Sequence, residues 1–185
     1  MLDENLIFDV IGIAGVVGQL TATLISLDTG STSIAGAVAT YKFAFKTTQE
    51  IPSGSSIRIE VLDTNFGIED EPTCSAYAIN GYTISGSLSC SASNSIILVE
   101  GLSSSIPKLK NVGLKVELTN PGFSGTTPTF TISILRTGTN AIYDRKEEIA
   151  GPTIEPGAIT NIDINPVISG ALPGRSKKME YDIEF

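Results

Sequence analysis

The chain has 185 residues, a net charge of −8, no histidine and no tryptophan. Its length allows one domain, or one domain with arms. The acidic balance, without any run of Lys or Arg, argues against nucleic acid and anionic membranes as partners, and the missing histidine removes the commonest general base and metal ligand. Hydrophobic residues reach 41% against 17% charged, so some apolar surface is expected to lie under other subunits.

The stretch Leu6–Leu27, LIFDVIGIAGVVGQLTATLISL, is nearly continuous in apolar and small residues and holds one charge, Asp9. Asp3, Glu4 and Asp9 stand where a secretory leader needs positive charge. Asp9, Gln19, three glycines and the lack of basic flanks argue against a membrane-spanning helix. Gly12-Ile-Ala-Gly15-Val-Val-Gly18 resembles the glycine fingerprint of extended short-chain dehydrogenases, where the backbone approaches a pyrophosphate at a helix N-terminus. The sequence beyond Gly18 departs from that pattern. Thr21, Thr23, Leu24 and Ile25 are strand formers, no later segment has the helical period of a βα unit, and Tyr143-Asp-Arg-Lys146 is one residue short of that family's Tyr-x-x-x-Lys pair. The segment reads instead as an extended arm whose glycines permit close backbone packing. A lone strand is not stable in water, so the arm must add to a sheet. Its candidate anchors are Leu6, Phe8, Val10, Ile11, Ile13, Val16, Val17, Leu20, Leu24 and Leu27.

The polar loop DTGSTSIAGA, from Asp28 to Ala37, is expected to let the arm swing out. VATYKFAFK then alternates, with Ala39, Tyr41, Phe43 and Phe45 on one face, as a half-buried strand does. After the turn at Ile51-Pro-Ser-Gly54, Ile57, Ile59 and Val61 point inward and Arg58 and Glu60 outward. Asp63–Thr73, DTNFGIEDEPT, is the most charged loop. Asp63, Asn65, Glu69, Asp70 and Glu71 could offer hard oxygen ligands to Ca²⁺, but glycine stands fifth rather than sixth and Cys74 stands twelfth, unlike an EF-hand. A solvated acidic loop is the favoured reading, with no metal.

Cys74 and Cys90 flank CSAYAI, the turn Asn80-Gly81, and YTISGSLSC. Asn-Gly is a strong hairpin signal because both turn residues need positive φ. An even cysteine count at this spacing favours a disulfide between adjacent strands and an oxidising compartment, against the alternative of two buried thiols. A strict two-residue turn would place Cys74 opposite Ser87, so the bridge requires a bulge or a longer loop. Further strands follow at SIILVEG, at VGLKVELTN with Val112, Leu114, Val116 and Leu118 inward, and at PTFTISILRT with Phe130, Ile132 and Ile134 on one face. AIYDRKEEI reads as an edge strand or exposed arm, where charge blocks unwanted pairing. Gly151–Gly157 holds two prolines and reads as a linker. In the tail, Tyr181-x-Ile183-x-Phe185 follows a strand and a polar loop, 140 positions after Tyr41-x-Phe43-x-Phe45. This layout forms a weak internal repeat.

Many short strands bounded by turn signals imply an all-β antiparallel sandwich. The layout resembles the immunoglobulin-like domains of surface fibres, including pilus subunits that assemble by donor-strand exchange. The partnerless arm Leu6–Leu27, the alternating strands from Ala39 to Ile134 and the single cysteine pair carry that resemblance. Ile51-Pro-Ser-Gly-Ser and Asn120-Pro-Gly-Phe also look like repeats of surface proteins. The resemblance implies a fold short of one strand, completed by the N-terminal donor-type strand of another subunit. The expected organisation is an assembly arm over 1–30, an immunoglobulin-like β-sandwich over 31–150 and a C-terminal β extension over 151–185 that either completes the sandwich or opens a repeat. The expected role is structural: a homo-oligomeric subunit of an extracellular, pilus-like filament at the cell surface, not an enzyme, with no cofactor. The alternative is an adhesive or carbohydrate-binding module of a surface protein.

Overall fold

A computed structural model describes residues 17–62, 66–139 and 141–158, and the backbone of Asp163–Val167 and Glu180–Glu184. The chain forms two compact units, Met1–Glu155 and Pro156–Phe185. Every regular element among the described residues is a strand. In chain order they are β1 (Gly18–Gln19), β2 (Thr21–Leu27), β3 (Val38–Lys46), β4 (Ser56–Val61), β5 (Cys74–Ala76), β6 (Ser89–Ser93), β7 (Ile96–Glu100), β8 (Asn111–Thr119), β9 (Gly125–Thr126), β10 (Phe130–Leu135), β11 (Ile142–Ile149), β12 (Thr153–Ile154), β13 (Asp163–Val167) and β14 (Glu180–Glu184).

The first unit holds a six-stranded sheet in the order β1-β11-β10-β4-β7-β6 and a four-stranded sheet in the order β2-β3-β8-β5, with a small β12-β9 pair. Period-2 alternation gives each sheet one apolar face. Tyr41, Phe43 and Phe45 of β3, Val112, Leu114 and Val116 of β8, Ile57 and Ile59 of β4, Ile97 and Val99 of β7, and Phe130, Ile132 and Ile134 of β10 are all fully buried in one core. Phe43 meets Phe130 edge to face with ring centroids 5.7 Å apart, so the apolar faces of the two sheets touch. Each such side chain contributes ~1.5–3 kcal/mol of gross hydrophobic stabilisation, set against the entropy of ordering the chain.

The outer face of the six-stranded sheet follows the opposite rule. Ser133 of β10 lies in register between Arg58 of β4 and Arg145 of β11. Arg58 pairs with Glu60, and Arg145 reaches Glu60 at 3.8 Å and Glu147 at 2.9 Å. These long side chains cover the small hydroxyl residues of β10, which explains why Thr131 and Ser133 are buried on a face that points outward.

Three expectations change here. The cysteines do not sit on adjacent strands: β5 belongs to the four-stranded sheet and β6 to the six-stranded one. The Asn80-Gly81 turn is present, with φ of 51° and 75° and a bridge between Ile79 and Tyr82, but its arms diverge to opposite sheets instead of continuing as a hairpin. The loop from Asp28 to Ala37 is pinned rather than free. Asn120 donates through Nδ2 to the carbonyls of Thr32 and Ile34 and accepts from the Tyr41 hydroxyl at 2.6 Å. Ala35 N donates to Glu155 O, and Glu155 N to Ser33 O. The same bonds hold the end of the first unit, where Ile154 is buried and the backbone of Glu155 is bonded into that loop.

Candidate assembly region

The chain changes sheets within a single residue. Gly18 and Gln19 pair in parallel with Asp144 and Arg145 of β11, Leu20 N donates to Arg145 O at 3.1 Å, and Thr21 opens the strand that pairs antiparallel with β3. Leu20, 1% exposed, fills the space between the sheets at that point. A bulge in β2 between Thr21 and Leu24, with Ala22 at φ 46°, takes up the register change.

Gly18 is required by sterics. A Cβ there would fall 1.7 Å from Asp144 Oδ1. Asp144 is fully buried, and its carboxylate accepts from Thr48 N at 2.8 Å, Thr48 Oγ1 at 2.7 Å and Gln49 Nε2 at 3.1 Å. Gln49 also donates to Tyr143 O. A buried carboxylate is tolerable when its lone pairs are satisfied in this way. The cluster thus ties the turn after β3 to β11, directly beside the point where the N-terminal segment enters.

The predicted arm anchors are therefore divided. Leu6, Phe8, Val10, Ile11, Ile13 and Val16 lie outside the described residues. Leu20 is a core residue, and Leu27 packs partly buried against the core. Val17 is 49% exposed and Leu24 60% exposed. The stretch from Gly18 to Leu27 is extended and belongs to this chain's own sheets, with its C-terminal part paired in the register Leu24–Ala44 to Leu27–Tyr41. No helix follows Gly18 among the described residues, as a dinucleotide site would need.

Cys74 and Cys90 are bonded, with Cα atoms 6.0 Å apart, and the bridge joins the two sheets. Of the weak Ca²⁺ candidates, Asp63 and Asn65 lie outside the described residues, while Glu69, Asp70 and Glu71 are exposed. Among the described residues no three acidic or cysteine side chains are placed to hold a metal. The loop that carries them is anchored by Phe66, whose ring meets Tyr41 at 5.8 Å and Phe130 at 5.6 Å. A shallow depression of about 430 Å³ on the outer face of the six-stranded sheet is lined by residues that include Arg58, Ser91, Asn94, Leu98 and Leu135. No helix among the described residues is long and apolar enough to cross a membrane.

Sequence reasoning missed Asp144, Asn120 and Phe66. Asp144 sits in a run of five consecutive charged residues, and nothing in its spacing sets it apart. Phe66 is the one aromatic in the acidic loop, which was a usable signal.

No known protein family matches the sequence, and no curated protein matches it. Among solved structures, the chain is similar to BslA, described as a bacterial hydrophobin, at 13% identity over 78% of this chain and 100% of that one, with a TM-score of 0.43. It is also similar to a DUF4466 family protein from Parabacteroides merdae, at 14% identity over 80% of this chain and 47% of that one, with a TM-score of 0.38. No residue role follows from either likeness.

Proposed function

We propose that the protein is a non-enzymatic structural subunit of an extracellular or cell-surface assembly. It is read as an immunoglobulin-like sandwich that joins copies of itself by strand addition, with the apolar segment Leu6–Val17 as the donor. The observation that carries this reading is the edge of β11. That strand runs for eight residues, yet on its outer side β1 pairs with only Asp144 and Arg145 among the described residues. An unpaired strand edge is a template for another strand. β1 lies on this edge and follows the chain's most apolar stretch in sequence. The disulfide supports an oxidising compartment. Asp144, the best-buried carboxylate among the described residues, spends its hydrogen bonds on Thr48 and Gln49, which suits a structural part better than an acid–base catalyst.

The donor is placed before Gly18 because Leu20–Leu27 is built into the chain's own sheets. The test is deletion of residues 1–16, with filament formation followed by electron microscopy and sedimentation. The full chain should form filaments, whereas the truncated chain should stay folded and monomeric and should bind a peptide of residues 6–17. Normal filaments from the truncated chain would remove the donor role. A full chain that stays monodisperse would overturn the reading in favour of an adhesive or carbohydrate-binding module.

A further inference from the structure

The second unit repeats the opening of the first in pairing and in register. β13 and β14 pair antiparallel, with Ile164 opposite Ile183 and Pro166 opposite Tyr181. β2 and β3 pair antiparallel, with Ile25 opposite Phe43 and Leu27 opposite Tyr41. Matching the hairpins by register aligns Ile25 with Ile164, Leu27 with Pro166, Phe43 with Ile183 and Tyr41 with Tyr181. The connecting loop is then one residue longer in the second unit.

That alignment also matches residues that were not used to make it. Gly18 falls on Gly157, Leu20 on Ile159 and Thr21 on Thr160, all at the 139-position spacing that separates Ile25 from Ile164. Phe45 falls on Phe185 at the 140-position spacing of the tyrosines. Ala22, which adopts φ 46° in the bulge, falls on Asn161, and asparagine takes that left-handed conformation more readily than alanine. Val17, the residue before β1, falls on Pro156, the first residue of the second unit. An arbitrary hairpin has no reason to carry glycine at the position where, in the first unit, a Cβ would strike a buried carboxylate.

We propose that Pro156–Phe185 is the opening hairpin of a second copy of the first unit's fold. The outer edge of β14 is then a docking edge for one kind of partner: a strand like β8, supplied by a following copy of this domain in the same polypeptide. In the first unit β3 lies between β2 and β8, with Tyr41 opposite Val116 and Phe43 opposite Leu114. Among the described residues β14 has β13 alone. A two-stranded hairpin is marginal in water and gains stability from a third strand. The register assigns the docking geometry: antiparallel, with Tyr181 opposite the counterpart of Val116 and Ile183 opposite the counterpart of Leu114.

The experiment appends residues 46–155 of this chain directly after Phe185, the counterpart of Phe45. Amide hydrogen exchange at Glu180–Glu184 is compared with that of the 185-residue chain, and mass is measured before and after reduction. The proposal expects exchange at 180–184 to slow by about a hundredfold or more, as amides of a cooperative core strand do. It also expects reduction to add four hydrogens rather than two. The same extended chain with Ile164→Asp and Ile183→Asp should keep the first domain and lose protection of the appended one. Unchanged exchange at 180–184 overturns the proposal, whether the appended segment stays unfolded or folds without the hairpin. Full protection of the appended domain in the double variant overturns it as well. The readout is intramolecular, so its outcome is separate from whether filaments form.

Discussion

Two of the places where the first unit's chain passes between its two sheets are held by opposite means. At Leu20 the backbone crosses in one residue, and the junction is held by sterics and a buried carboxylate: a glycine with no room for a Cβ, an aliphatic plug, and Asp144 bonded to Thr48 and Gln49. Between β5 and β6 the crossing takes a longer loop through Asn80-Gly81, and the strands it leaves and enters are tied by the Cys74–Cys90 bond. A short crossing leaves few conformations open, so packing suffices to fix it. A long one leaves the unfolded chain much freedom, and a covalent link removes part of that freedom.

Substitutions that act on one crossing at a time test this difference. The largest effect is expected at the short crossing, where there is no slack. Gly18→Val should cost about 4 kcal/mol, from overpacking plus disruption of the Asp144 bonds, read as a loss of midpoint in denaturant titration. Reducing the disulfide closes off the other route. Its loop of about 15 residues is worth ~3 kcal/mol, so the reduced protein should unfold at lower denaturant with a native-like signal before the transition. An equal or larger loss than Gly18→Val would reverse the ranking. Asp144→Ala leaves the part-buried Thr48 N without its acceptor and should cost about 2 kcal/mol. If it costs nothing, the carboxylate does not hold the crossing.

The smallest effect lies away from both crossings and serves as a control. Asp28 bonds to Lys115 and lies 3.6 Å from Lys42. The hydrogen bond from Lys115 is the main reason that its carboxyl is held below the ordinary value of 3.8. A depressed folded-state pKa gives stability that is present above the unfolded value and lost as pH falls through the folded one. The melting temperature of the natural protein should exceed that of Asp28→Asn at neutral pH by a small margin, and the gap should close below pH 3.8. A gap that widens on acidification would contradict the assignment.

Alternation made the core legible. Tyr41, Phe43, Phe45, Ile57, Ile59, Val112, Leu114, Phe130 and Ile132 all point inward as their period requires, because a strand with one buried face leaves its register little choice. The cysteine pairing was legible from count and spacing, but its placement was not, since nothing local to Asn80-Gly81 says that its two arms enter different sheets. The sheet pairing of Gly18–Leu27 was not legible for a similar reason. Apolar residues from Leu6 to Leu27 look continuous, and the sheet change at Leu20 takes place beside Asp144, more than a hundred positions away. Leu24 carries an apolar side chain yet stands largely exposed. Nothing local to Asn120 in Asn120-Pro-Gly-Phe marks its role, and only the fold shows that its amide closes the loop after β2 onto Tyr41. Burial of the Tyr41 ring, in turn, pushes its phenol above the usual range.

The parallel pairing of β1 with β11 has a mechanical meaning. Tension applied between Val17 and Glu155 would draw the two strands past each other along their length. The bonds of Leu20 N to Arg145 O, Ala35 N to Glu155 O and Glu155 N to Ser33 O would then share the load. Tension applied between Ser89 and Glu100, register partners at the open end of the β6–β7 pair, would peel bonds one after another. A single-molecule pulling measurement should therefore find the higher rupture force at the first pair of attachment points. A unit built this way resists being stretched by its ends more than its modest number of terminal hydrogen bonds suggests.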